Sequence, residues 1–454
     1  MNKILAIATI TIRSSIRSRV VLAMLLMLLA VIIGLPLTVK GDGTLSGEIQ
    51  ILLTYTLGLV ALILSLLTMW TGCATISQEI SERQIHLVIA KPVYRYQIWV
   101  GKWLGLLALN GLLLSISAGT VYGLLRWTTR ASQLTPSEEA VLSRDVLVAR
   151  ERIQPNLPDV KDEARERFEN QFSAGALLSG LSTPNALKAM EQAILTRRYS
   201  AANSDSLHWT FHASKAPPDH PFHLQFQFST SNQSVKKVKG LWRISGENSL
   251  EVFEQEIGSV PSGVHTLVIP PHVIYGSETL HVRYTNINDN PLRVLFEPDD
   301  GIVLFVYRGG FFGNLFRSIL ILFFHITFLA ALGITAGSLF SMPVASFVSI
   351  FAMVLLQSAG YIESMSTRNL LTPSELNGNE PAIINILFGY SFKALQFMVS
   401  PLEMANPLES IGVGELVPWT WVGTDCLIQV VLYCGLFGTL GSWLFNRREI
   451  GLPS

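Results

Sequence analysis

Apolar and polar positions divide this chain into two kinds of stretch. Apolar runs of roughly 20 residues, the length needed to cross about 30 Å of hydrocarbon, occur near 20–39, 51–72, 98–125, 315–339, 344–362 and 421–445. They predict six membrane-spanning helices. A further apolar segment, 383–400, is short and holds Lys393 and Gln396. It reads as a re-entrant or interfacial helix whose apolar face carries Ile386, Leu387, Tyr390, Ala394 and Phe397. Between the third and fourth runs lies a polar stretch of domain size. Its first part, 135–199, lacks strand alternation, is rich in Glu, Arg and Ala, and is interrupted at Pro155 and Pro158, which predicts two or three helices. From about residue 207 the period becomes two, in 223–229, 240–245, 264–270, 280–286 and 302–308. Turn signals at Ser262-Gly263, Asn288-Asp289-Asn290 and Asp299-Asp300-Gly301 separate these runs, as in an antiparallel β-sandwich.

The expected organisation therefore has four parts. Residues 1–127 hold an interfacial helix, three spans and a polar loop; 128–205 are helical; 206–312 form the sandwich; 313–454 hold the last three spans. The fold class is an α-helical polytopic membrane protein with an inserted α+β domain. Composition agrees: 49% of the 454 residues are hydrophobic and only 15% charged, a membrane-class balance. Lys plus Arg equal Asp plus Glu at 33 each, so net charge offers nothing to a nucleic acid. The position of charge is more informative than its sum. Lys3, Arg13, Arg17 and Arg19, the 83–102 loop and Arg447-Arg448 fall on one side if the N-terminus is cytoplasmic, satisfying the positive-inside bias in three places. A seventh crossing at 383–400 would put Arg447 and Arg448 outside. Residues 128–312 are then extracytoplasmic. The first apolar run is too long for the core of a cleavable signal, and Ile4, Leu5, Ala8, Ile12 and Ile16 predict an interfacial helix ahead of it.

The stretch from Thr75 to Gly105 separates two spans yet carries Glu79, Glu82, Arg83, Lys91, Arg95 and Lys102, charges expected to lie out of the hydrocarbon. Ile76, Ile80, Leu87 and Val88 recur at helical spacing, predicting a short helix along the membrane over 76–89, broken at Pro92. Glu79, Glu82, Arg83, Leu87, Ala90-Lys91-Pro92-Val93, Arg95, Ile98 and Gly101-Lys102 resemble the signature that follows the second span of type-2 ABC exporter (ABC-2 type) permeases. In that family an E-x-x-x-G-T-L run leads into K-P-V-x-R and a Gly-Lys. This chain has Gln84-Ile85 where the family often has Gly-Thr. Its amphipathic start, the turn at Ser338-Leu339-Phe340-Ser341-Met342-Pro343-Val344 and its closing Arg447-Arg448-Glu449 are also similar to the family's.

The resemblance implies a coupling helix that docks on a separate ATP-binding subunit, with Glu79, Glu82, Arg83, Gln84, His86, Lys91 and Pro92 as coupling residues. It also implies a second permease copy or a paralogue, and a bacterial cytoplasmic membrane with both termini inside. No G-x-x-x-x-G-K-[ST] loop is present, so the chain is not expected to be an enzyme; ATP and Mg would enter only through the partner.

Other candidate chemistry is sparser. Asn110, His325, Gln357, Asp425 and Gln429 are polar groups inside apolar runs, expensive unless they face a partner helix or a wet cavity. Asp425 is expected to pair with Arg126 or Arg317. Gly105, Gly111, Gly119 and Gly123 on the third span, with Gly333 and Gly337 on the fourth, permit close helix packing. His208, His212, His220 and His223 lie near Asp219, but their spacing defines no metal site, and Cys73, Cys426 and Cys434 define no disulfide framework. Trp209, Trp242, Tyr275 and Tyr284 suit either a glycan-stacking face or a core. Three functions follow: an exporter permease, an ATPase-driven transmitter of force to an envelope partner, or a membrane-anchored glycan- or protein-binding module.

Overall fold

The computed structural model describes residues 3–38, 49, 52–82, 93–131, 147–173, 183–213, 220–232, 235–247, 251–274, 277–298, 300–358, 391 and 407–447. The expected segment 383–400 therefore lies outside the described residues but for Ser391. The chain forms two units, a helical one drawn from both ends of the sequence and a β-rich one spanning Leu147–Gly310.

In the helical unit, α1 (Lys3–Arg17) and α2 (Arg19–Thr38) meet at a 71° bend. Then come α3 (Leu52–Ser81, opening in a π turn), α4 (Arg95–Ala131), α7 (Phe311–Leu339), α8 (Met342–Gln357), the short α9 (Pro407–Gly412) and α10 (Trp419–Arg447, with a π stretch over Cys426–Tyr433). Four of these, α3, α4, α7 and α10, are long and apolar enough to cross a membrane, and the bent α1–α2 pair adds a fifth if counted as one span. Helix α8 accounts for 344–357 of the expected fifth span, whose end, 359–362, lies outside the described residues.

Small residues set the packing. A Cβ on Gly333 would stand 3.2 Å from the Met69 carbonyl oxygen and 3.3 Å from Gly72 Cα, so α3 and α7 touch backbone to backbone. Gly337 meets Cys73 in the same way. Gly105 lies under Ala8 and Thr11 of α1, and Gly111 under Phe323. Gly119 and Gly123 have nothing within 4 Å, so they do not join this packing. Helix α1 departs from the expected face. Ala8, Thr11 and Ser15 are buried, whereas Leu5, Ile10 and Ile16 are exposed. Close approach to α4 selects the small side chains, and the large apolar ones are left for a lipid interface.

The β-rich unit comprises β1 (Val148–Ile153), α5 (Lys161–Ser173), α6 (Thr183–Arg198), then β2 (Ser200–Ala201), β3 (Ser206–His212), β4 (Phe222–Phe226), β5 (Phe228–Thr230), β6 (Val238–Gly246), β7 (Val252–Ser259), β8 (His265–Ile269), β9 (Thr279–Asn286), β10 (Val294–Phe296) and β11 (Ile302–Gly310). Every pairing is antiparallel, in three sheets ordered β1-β11-β4-β8, β2-β10-β5 and β3-β9-β6-β7. Strands β3, β6 and β9 alternate buried and exposed positions, placing Trp209, Phe211, Trp242, Ile244, Val282 and Tyr284 in one apolar core. Val160, Ala164, Ile194 and Leu195 bring α5 and α6 onto that same core, so no break in packing falls at 205/206.

Strand β1 occupies sequence where helices alone are expected. Its charges find cross-strand partners: Glu151 accepts from Arg308 at 2.6 Å and Arg150 lies over the Phe305 ring at 5.6 Å, both on β11, while Arg152 pairs with Asp300 at 2.8 Å. Those contacts favour a strand over the helix that the local composition suggests.

Candidate functional site

The expected coupling segment begins inside α3 rather than as a helix of its own. Ile76 and Ser77 are buried members of α3, which runs unbroken to Ser81 before Glu82 closes it with an N–H bond to the Gln78 carbonyl at 2.8 Å. No Gly or Pro falls between Cys73 and Glu82 to end the helix. Hydroxyls consolidate it, Ser77 donating to the Cys73 carbonyl at 2.6 Å and Thr71 to that of Leu67 at 2.7 Å. Arg83, Gln84, His86, Lys91 and Pro92 lie outside the described residues.

Glu79 projects onto α4. Its Oε1 accepts from Lys102 Nζ at 2.6 Å, and the same ammonium donates to the Thr75 carbonyl at 2.8 Å. The Lys102 side chain is 4% exposed and that of Glu79 27%. Lys102, expected among charges lying clear of hydrocarbon, is thus a buried residue of the bundle, neutralised by one carboxylate from the preceding span. Glu79 Oε2 is buried and has no hydrogen-bond partner among the described residues. Arg95, in the first turn of α4, donates to the Phe445 carbonyl of α10 and lies over the Phe445 ring at 5.4 Å. The end of α3, the start of α4 and the end of α10 are therefore held by charged groups. Sequence reasoning named both members of the Glu79–Lys102 pair but not their pairing. The available signal was two opposite charges 23 residues apart at facing ends of consecutive apolar helices.

The other polar candidates are not brought together. Asn110 on α4 and Gln429 on α10 are each 1% exposed. Neither Asn110 polar side-chain atom, nor His325 Nδ1, nor Gln429 Oε1 has a partner among the described residues. Gln357 ends α8. The ion pair expected for Asp425 is not formed. Arg317 donates instead to the Val417 carbonyl at 3.0 Å and lies over Trp419 at 5.0 Å, and Arg126 donates to the Tyr122 hydroxyl at 3.1 Å. Arg317 thus meets a backbone carbonyl and a ring face, and Arg126 the hydroxyl and, at 5.5 Å, the ring of Tyr122. Asn314, which sequence reasoning passed over, is 1% exposed and bridges α7 to the chain before α10, donating to the Glu415 carbonyl at 2.6 Å and accepting from the Val417 N–H at 2.7 Å.

In the β-rich unit, His208 and His212 lie on the outer face of β3, His220 stacks on Tyr307 at 3.7 Å, and His223 is buried in β4. No group of three His, Cys, Asp or Glu suited to a metal forms among the described residues. Trp209, Trp242 and Tyr284 are core rings, with centroids 6.3 Å apart for the first pair and 4.9 Å for the second, so they offer no stacking face to a glycan.

Long apolar helices joined by buried charge, together with a separate antiparallel β unit in the same chain, mark a helical membrane protein. Comparison with protein families, with curated proteins and with solved structures finds no match to this chain.

Proposed function

We propose that the chain is the membrane-spanning subunit of an ATP-binding cassette exporter, driven by a separate ATP-binding subunit and completed by a second permease copy or a paralogue. The observation that carries this reading is the Glu79–Lys102 pair. It fastens the end of α3 to the start of α4 where the chain leaves one span for the next. A docked ATPase moving the 83–92 loop would draw both helices together, and the cargo would leave on the far side. The topology proposed has six spans, with both termini and this loop in the cytoplasm of a bacterial cell and residues 128–312 outside the cytoplasmic membrane. A second reading, transmission of force to an envelope partner, is favoured by the junction at Gly310–Phe311, where β11 ends and α7 begins with no residue between them.

Both readings require an ATPase on the loop. Gentle detergent solubilisation and pull-down of the wild type should recover an ATP-binding subunit, and Glu82→Lys with Arg83→Glu should lose it. Recovery of no ATPase by the wild type, or equal recovery by the double variant, refutes the assignment.

A further inference from the structure

Helix α1 carries charge that no other described part of the chain answers. Its small residues Ala8, Thr11 and Ser15 are buried, the first two against Gly105 of α4. The rest of its surface mixes two kinds of exposed side chain. Leu5, Ile10 and Ile16 are open, and so are Arg13 and Arg17, with Arg19 just past the bend into α2. Arg13 and Arg17 stand four residues apart and so share a face of the helix, where like charges repel.

Helices α1, α2 and α4 contain no Asp or Glu. Helix α3 also reaches α1, and its Glu79 is held by Lys102. Among the described residues none of Arg13, Arg17 and Arg19 has an ion pair or a side-chain hydrogen bond. Three unneutralised guanidiniums thus stand beside large open apolar side chains in a membrane protein, a combination that suits the boundary between headgroups and acyl chains. The 71° bend agrees with this, because where α2 enters the bilayer it turns α1 toward the membrane surface.

We propose that this face of α1 binds anionic phospholipid, Arg13, Arg17 and Arg19 meeting headgroup phosphate while Leu5, Ile10 and Ile16 enter the acyl layer. Guanidinium and phosphate pair through charge-assisted, often bidentate hydrogen bonds. A zwitterionic headgroup brings its own ammonium, so three unneutralised cations select a lipid whose headgroup is net negative. Such a lipid answers the charge and covers the apolar side chains together, which favours it over an acidic protein surface. No ATPase enters this binding, so it holds or fails apart from the exporter reading.

The test incubates the purified full-length chain in dodecyl maltoside with equimolar phosphatidylglycerol and phosphatidylcholine, and mass spectrometry quantifies the lipid retained after repurification. The wild type should retain phosphatidylglycerol in roughly tenfold excess or more, and a wash in about 0.5 M NaCl should erase most of that preference. Arg13→Gln, Arg17→Gln and Arg19→Gln together should bring the two lipids close to parity. Lys236→Gln, Lys239→Gln and Arg293→Gln together, an equal loss of charge at exposed positions of the β-rich unit, should leave the preference intact. Parity in the wild type, a preference that salt does not touch, one kept by the α1 variant, or one lost equally in the β-rich control would overturn the proposal. A preference kept by the α1 variant while a co-purified acidic protein is lost would give the surface to a protein instead. The comparison of the two lipids at low and high salt uses the wild type alone, so it stands even if a variant folds poorly.

Discussion

Removing one member of the Glu79–Lys102 pair should cost far more than removing both. Lys102 Nζ sits 2.6 Å from Glu79 Oε1 and 2.8 Å from the Thr75 carbonyl, on a side chain only 4% exposed. Glu79→Gln leaves that ammonium buried against neutral groups. Breaking a buried pair from one side costs about 3–5 kcal/mol, and the burial of Lys102 puts this variant near the upper figure. Lys102→Met leaves a carboxylate that is 27% exposed and partly hydrated, so about 3 kcal/mol is expected. In the double variant no charge remains to be desolvated, and the methionine fills the space beside α3. Its loss should be at most about 1–2 kcal/mol, giving a coupling energy of several kcal/mol where independent sites add to within about 0.5 kcal/mol. Unfolding by SDS titration in mixed micelles, followed by tryptophan fluorescence, reads all three variants against the wild type. Additive losses would falsify the claim that the pair is a buried unit.

Two further outcomes concern the β-rich unit. Gly240→Ala places a methyl 2.9 Å from Tyr284 Cζ, a ring fixed among Trp242 and Phe296, and should cost about 1–3 kcal/mol of stability; a midpoint of chemical unfolding unchanged from wild type would remove the overpacking argument. Burial, then the Arg283 and His281 charges, hold the His208 pKa below its ordinary value, so the unfolded chain binds this proton more readily than the folded one. Stability should therefore fall as pH drops through about 6.5, and His208→Asn should flatten that fall in melts taken between pH 5 and 8. A slope of opposite sign, or one indifferent to the variant, contradicts the assignment.

The membrane character of the helical ends was legible because about 20 consecutive apolar residues leave few alternatives in water. Five of the strands were equally legible, since Trp242 and Tyr284 alternate with Arg243 and Arg283 along β6 and β9. What composition hid was decided by partners distant in sequence. VARERI reads as helix until Glu151 meets Arg308, and Glu256 and Gln255 disguise β7 because both lie exposed opposite β6 on an edge strand. At the candidate coupling site the residue types were visible and their directions were not. Charge alone placed Lys102 clear of hydrocarbon, whereas a carboxylate from the neighbouring span lets it be buried. The Asp425 pairing failed for the converse reason: Arg317, one of the two partners expected for it, is turned to the Val417 carbonyl and the Trp419 ring.

Under the proposed function, these contacts divide the work of the two acidic residues. Glu79 is turned into the bundle and ties α3 to α4, whereas Glu82 ends the helix beside the loop on which an ATPase would act. A displacement applied beyond Glu82 would thus reach α4 through a 2.6 Å ion pair between the two helices themselves. On another face α3 meets α7 through Gly72 against Gly333 and Cys73 against Gly337, where no side chain intervenes that could absorb motion by changing rotamer. Charge on one side and backbone contact on the other make α3 the helix that must move as a rigid rod for coupling to work. The physical demand on its sequence is then continuity from the π turn to Ser81, and the absence of Pro throughout this helix meets it.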